Sequence, residues 1–211
     1  MSETFCVTCT ACPRLAGFLA EVRIAHPDYY ALPVPPFGDE RAWLLIVGLA
    51  PGLHGANRSG RPFTGDHAGI LLYQTLHQFG FASRPHSVSV DDGLSLQACR
   101  ITNAVKCVPP ANKPEPGEIR QCNRFLAAEI RSMPDDVAIL ALGTIAHAAV
   151  LTAMGLPSKA YKFEHGAIHA LGGARRLYDS YHCSRYNTQT RRLTTEMFHA
   201  VFARITADRV R

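Results

Sequence analysis

Residues 43–66 read "WLLIVGLAPGLHGANRSGRPFTGD". The first six residues are apolar and β-prone, the pattern of a short buried strand. From Gly48 onward the pattern breaks. Nineteen residues hold five glycines and two prolines, show neither helical nor strand periodicity, and end on Asp66. Such a loop after a strand either cradles a ligand or is a long surface turn. The next stretch, "GDHAGILLYQTLHQFGF", places Ile70, Leu71, Leu72, Leu76 and Phe79 on a helical face.

The strand–loop–helix order repeats along the chain. Apolar runs at Trp43–Gly48, Arg100–Val105, Val137–Leu142 and Leu177–His182 read as four strands. "PGEIRQCNRFLAAEIRSM" reads as a helix opened by Pro116 and Glu118. "GTIAHAAVLTAMG" reads as a helix with Thr144 as N-cap, and "TTEMFHAVFARITADR" as one capped by Thr194 or Thr195. Residues 81–99 fit a hairpin or a plain loop. Alternating strands and helices predict an α/β fold on a mostly parallel sheet. Ligands of such sheets bind beyond the carboxyl ends of the strands. The Gly-rich loop, "NAVKCVPP" and "HCSRYNTQTRRLT" all follow strands there, so they are expected to meet in one cleft.

The chain has 211 residues, 47% of them hydrophobic and 18% charged, which predicts one domain spanning 1–211. No apolar run approaches the ~18 residues of a membrane span. The opening "MSETFCVTCTACPRL" has no basic then apolar pattern of a secretory signal, so a cytoplasmic, nucleoid-associated protein is expected. Residues 1–105 are nearly neutral, and residues 106–211 carry fifteen Lys/Arg against nine Asp/Glu. That asymmetry suits phosphate contacts, or simply a basic surface.

Seven cysteines in a chain of this kind do not suggest a disulfide framework. Cys9-x2-Cys12 and Cys107-x14-Cys122 offer four thiolates, suited to zinc or an iron–sulfur cluster. Cys6-x2-Cys9 has the same spacing, so Cys6 is an alternative ligand. Cys99 reads as a core residue.

Taken together, "GLAPGLHGANRSGRPFTGD", "NAVKCVPPANKPEPGEIRQC", "HCSRYNTQTRRLT" and the opening Cys9–Leu15 resemble the B-type, or family 5, uracil-DNA glycosylases. The resemblance spans most of the chain, in family order. It implies a three-layer α/β/α sandwich on a central four-stranded, mostly parallel sheet. It also implies a [4Fe–4S] cluster on Cys9, Cys12, Cys107 and Cys122, and monofunctional hydrolysis of the base–sugar bond of uracil, or of other deaminated bases, in single- or double-stranded DNA. The chain departs from the family pattern at Cys183, where proline is usual, and at Arg191, where glycine is usual.

The chemistry assigns roles. A base inside a duplex must be flipped out to be reached. Phe63 is the expected stacking wall, and Asn103 the reader whose amide matches the N3–H and O4 of uracil. His182 is the expected donor to the departing base. Asp66 is the best carboxylate for water or the sugar cation, with helix capping as its alternative. Gly48, Ala50, Gly52, His54 and Asn57 complete the expected substrate set. Ser184, Arg185, Asn187, Thr190, Arg191 and Arg192 are expected to hold DNA phosphates, and Tyr186 either enters the base stack or is an ordinary surface residue. A monomer is expected. The competing readings are a catalytically impaired iron–sulfur DNA-binding protein, a glycosylase mainly for other bases, and a phosphate-binding transferase. The last lacks the Lys-Ser/Thr ending of a P-loop.

Overall fold

A computed structural model describes residues 5–209. The helices are α1 (Pro13–Ala25), α2 (Ala56–Ser59), α3 (His67–Gln78), α4 (Pro116–Ser132), α5 (Thr144–Ala153), α6 (Arg185–Gln189) and α7 (Thr195–Arg209). The strands are β1 (Phe37–Gly38), β2 (Leu44–Gly48), β3 (Cys99–Asn103), β4 (Ala138–Leu142), β5 (Ile168–Ala170) and β6 (Arg176–Ser180). They form one sheet in the order β1-β3-β2-β4-β6-β5. The sheet has six strands rather than the expected four. The four expected strands are its parallel centre, and β1 and β5 are short antiparallel edges. Strands of two and three residues carry no readable periodicity, so pairing alone creates them.

Strand β2 decides the layering. Successive side chains on a strand face opposite ways. Leu44 and Ile46 join the core beneath α3 and α7, with Leu72, Tyr73, Leu76, Phe198 and Phe202. Leu45 and Val47 join the opposite core, beneath α4 and α5, with Leu126, Ile130, Val150 and Leu151. Both faces are covered, which is why β2 and β4 are buried along their whole length. A third cluster packs α1 against Val105, Val108 and Phe125. No helix among the described residues is long and apolar enough to cross a membrane.

One cap differs from expectation and two helix starts agree with it. Gly143, at φ 98°, is the N-cap of α5 and Thr144 is its first residue, because the turn out of β4 demands a left-handed residue. At α7 the cap is Thr194, whose hydroxyl accepts from Met197 N at 3.2 Å. Helix α4 is opened by Pro116, with the Glu118 carboxylate reaching back to Glu115 N at 2.7 Å.

Residues 81–98 form a loop closed by a single antiparallel bridge, Ala82 to Leu96. Asp92 organises it. Its carboxylate accepts from Val88 N, Ser89 N and Leu94 N, and from Arg61 Nη1 at 2.9 Å. Burial pushes the Asp92 carboxyl up, but Arg61 and the three N–H groups outweigh it and hold it well below the usual range. Arg61 is only 4% exposed and lies over the Phe37 ring. Asp92→Ala therefore strands a buried guanidinium, and unfolding in urea is expected to show a loss of about 3 kcal/mol or more. A loss below about 1 kcal/mol would mean that water reaches Arg61 freely.

Candidate active site

From β2 the chain moves to β3 on one side and then crosses to β4 on the other, so the connections after β2 and β4 diverge and open a crevice at the carboxyl end of the sheet. Gly48 ends β2 directly beside Asn103, which ends β3. A Cβ at Gly48 would collide with Asn103 Oδ1 and come within 2.7 Å of the Phe63 ring. The missing side chain therefore lets the amide and the ring meet.

A cavity of about 500 Å³ lies there, a size suited to a small ligand. Ala50, Gly52, Phe63, Asp66, Asn103, His182, Ser184 and Arg185 line it. Four separate segments are thus brought to one place. Gly48 lies beneath the floor. His54 and Asn57 do not line the cavity. His54 is exposed and pairs its Nδ1 with the Tyr29 hydroxyl at 2.8 Å, and Asn57 is fully buried in the loop's interior. The sequence reading did not assign Leu49, Ala56, His67, Ala68 and Asn112, which also line it. Asn112 had a signal: it lies inside the quoted "PPANKP" segment. It sits beside Ala111, and both have positive φ without being glycine, a strain that clusters at functional sites.

Asn103 is 4% exposed, and its Oδ1 has no hydrogen-bond partner. A buried acceptor left unpaired costs on the order of 1–3 kcal/mol, so this oxygen is poised for a donor. Phe63 has φ 57°, a left-handed backbone that a phenylalanine adopts only when held there. The holding contacts are Tyr73 OH to Pro62 O at 2.7 Å, Thr64 Oγ1 to Ser87 Oγ at 2.6 Å, and the Arg61–Asp92 pair one residue further back. The Phe63 and His182 rings lie 6.0 Å apart at 29°.

Asp66 occupies the N-cap position of α3 but makes no capping bond to it. Its Oδ2 instead accepts from Ala56 N at 3.3 Å, at the start of α2. Glycines make this crossing possible. A Cβ at Gly55 would land on the carboxylate, and one at Gly52 would come within 2.7 Å of it. The Gly-rich loop thus accommodates a carboxylate. Burial raises the Asp66 pKa, partly offset by Ala56 N–H, Arg58 and His54.

Burial also lowers the pKa of His182 to about 4, so the imidazole is neutral at pH 7. The unfolded histidine takes its proton near 6.5, before the folded one does, so this group makes stability fall as pH drops from 6.5 towards 4. The Asp66 carboxyl is shifted upward instead. If Asp66 must be ionised, the acid limb of kcat is expected above the 3.8 of an ordinary aspartate, and Asp66→Asn removes that limb. A limb that persists in the variant assigns it elsewhere.

The segment after β6 builds its own turn. Ser184 caps α6 by accepting from Asn187 N, Asn187 Nδ2 donates to His182 O at 2.8 Å, and Thr190 Oγ1 donates to Tyr186 O at 2.7 Å. Arg185, Arg191 and Arg192 are exposed, with Arg192 stacked 4.7 Å from the Tyr181 ring centroid. Tyr186 is 70% exposed. Cys183 is buried in the α3–α7 core, and burial pushes its thiol up to about 12.

Cys9, Cys12, Cys107 and Cys122 line one small apolar cavity between α1, α4 and the chain after β3. Burial, added to by the mutual repulsion of the sulfurs, raises Cys12 and Cys107. Lys106 N donates to Cys122 Sγ at 3.3 Å. Arg14 forks onto Glu118 at 2.8 and 2.7 Å, clipping α1 to α4. Cys6 is exposed, bonded to Thr8 Oγ1, and outside the cavity lining. Cys99 is buried in β3, within the core. Cys9, Cys12, Cys107 and Cys122, two half-buried and two buried, could together hold a metal centre. A second group that could, His147, His169 and Asp179, keeps its ligand atoms within 4.8 Å. There the Asp179 carboxylate already bridges both imidazoles at 2.8 and 3.0 Å, and none of the three lines the pocket.

A model of the uracil DNA glycosylase superfamily matches residues 35–206, which include every residue lining the pocket. The chain belongs to that superfamily. Within it, the chain is 48% identical over 204 residues to a protein of Thermus thermophilus named type-5 uracil-DNA glycosylase, covering 93% of each. It is 41% identical over 206 residues to the protein of that name from Pyrobaculum aerophilum, covering 96% of this chain and 89% of the relative. A type-4 uracil-DNA glycosylase of Saccharolobus solfataricus is 29% identical over 174 residues, 80% of this chain and 74% of that protein.

Proposed function

We propose that the protein is a monofunctional DNA glycosylase of base-excision repair. It hydrolyses the N-glycosidic bond of uracil, and of other deaminated bases, flipped out of single- or double-stranded DNA. The observation that carries this reading is the buried Asn103, with its Oδ1 unpaired, in the lining of a cavity walled by Phe63. Uracil offers an N3–H donor beside an O4 acceptor, the complement of an amide, and cytosine offers the reverse. The type-5 relatives carry the name of the same activity.

In this reading Phe63 stacks on the flipped base and Asn103 reads its edge. Bond cleavage leaves negative charge on the base and positive charge on the sugar. Neutral His182 stabilises the departing base by donating an N–H to its O2. Asp66, also in the cavity lining, orients water and faces the sugar cation. Ser184, Arg185, Asn187, Thr190, Arg191 and Arg192 form the DNA-facing turn, of which the three arginines supply the phosphate-binding charge. Their contribution weakens as salt rises.

Cys9, Cys12, Cys107 and Cys122 would hold a [4Fe–4S] cluster, which supplies a structural clip between α1 and the chain after β3. Asn103 lies four residues before Cys107, so the clip steadies the reader. The protein acts as a single-domain monomer over residues 1–211, cytoplasmic and nucleoid-associated. Residues 1–4 and 210–211 of that span lie outside the described residues.

The test is purified protein on a uracil oligonucleotide, with a thymine oligonucleotide as control, followed by alkali. Strand cleavage at uracil alone is expected. Background cleavage with an intact brown absorbance would favour the binding-only reading. The completeness of the pocket supports the enzyme.

A further inference from the structure

Beside the base pocket lies a second cavity of about 540 Å³, and the base-excision step described above gives it no task. His67 lines both cavities. The partition between them includes the bond from His67 Nε2 to Thr188 Oγ1 at 3.0 Å. The wall beyond it is apolar: Ile70, on α3, is 55% exposed, while Leu71 and Leu193 are buried. Gln74, Thr188, Arg191, Thr194, Thr195 and Glu196 form the polar side. Arg191 has φ 56°, a left-handed conformation closed by its N–H to Thr188 O at 3.2 Å and by Leu193 N to Asn187 O at 3.0 Å. These two hydrogen bonds hold the turn in its strained conformation.

We propose that this cavity receives the base of the nucleotide next to the flipped one on the same DNA strand, with Arg191 on the phosphate between them. The inference rests on the glycosylase reading and adds a subsite to it. Three features favour that occupant. The cavity continues the DNA-facing pocket through a shared residue, as consecutive nucleotides of one strand would require. An imidazole ring on which a base can stack and a cation beside it are components of sites that bind single-stranded nucleic acid without reading sequence. Glu196 also lines the cavity, and its carboxylate repels a free anion from the interior while leaving a neutral base unaffected.

The test uses short single-stranded oligonucleotides in which a baseless tetrahydrofuran replaces the nucleotide 5′ or 3′ of uracil. Binding is measured by fluorescence anisotropy, and cleavage alongside it, for the wild type and for Ile70→Glu. Ile70 is exposed, so the charge is tolerated by the fold, and Gln74→Ala serves as a second variant. In the wild type, loss of the flanking base on one side only is expected to weaken binding about tenfold. Ile70→Glu is expected to bind the intact oligonucleotide about tenfold more weakly and to be indifferent to that missing base. Equal sensitivity of wild type and variant, or no side-specific effect in the wild type, overturns the subsite. Side-specific binding without any uracil release would sustain the subsite and overturn the enzymatic reading alone.

Discussion

Asp66→Asn is expected to lower kcat for uracil excision by about 10²–10⁴-fold, with KM within a few-fold of wild type. The substitution keeps the shape of the side chain and an oxygen to accept from Ala56 N, and it removes the charge. If Asp66 were only a helix cap, the variant would keep both its rate and its stability, because asparagine caps a helix as well as aspartate does. The structure separates the two roles, because the carboxylate makes no bond to the helix it precedes. Gly55→Ala provides an independent check. Its Cβ would land on the carboxylate, displacing the group without changing its chemistry, and a kcat loss of similar order is expected. A rate for Asp66→Asn within tenfold of wild type would remove the water-activating role and leave His182 and Asn103 as the chemical centre.

Cys107→Ala is expected to abolish the visible absorbance and the bound iron, and to free α1 from the sheet. Ligand-set loss in structural metal sites costs several kcal/mol, and each kcal/mol shifts Tm by about 2–4 °C at this chain length, so a fall of more than about 10 °C is expected. Cys6→Ala is the control. Its thiol is exposed and outside the cavity, so absorbance and Tm should not change. Metal analysis distinguishes the two centres that four thiolates can hold: iron with inorganic sulfide supports the cluster, and one zinc with no chromophore would replace it. The Arg14–Glu118 fork persists in Cys107→Ala, so residual anchoring of α1 is expected at low salt and is lost as salt rises.

The elements were legible to different degrees for identifiable reasons. The central strands are short apolar runs buried on both faces, and the sequence reading placed each within one or two residues at most ends. Strands β1 and β5 were missed because their existence depends on pairing with β3 and β6, not on any pattern of their own. Helix α1 was also missed: its "PRLAGFLAEVRIA" begins at Pro13, directly after Cys12, and its start signal is the proline alone, with no side-chain cap. The loop at 81–98 carries no periodicity because one carboxylate, Asp92, supplies its order.

Four cysteines, a glycine-rich loop after a buried strand, and Asn103 and His182 near strand ends were determined by the sequence alone. The alternation of strand and helix also determined that these features would meet at one end of a parallel sheet. The tertiary structure decided what the glycines are for and which loop residues reach the cavity. Gly52 and Gly55 make room for Asp66, and Gly48 for Asn103 and Phe63. His54 and Asn57 were set aside, and His67 and Asn112 were brought in. The physical reason is that a loop without periodicity has no face to predict. Its side chains are aimed by backbone strain and by hydrogen bonds to residues distant in the chain, such as Tyr73 to Pro62 and Arg61 to Asp92.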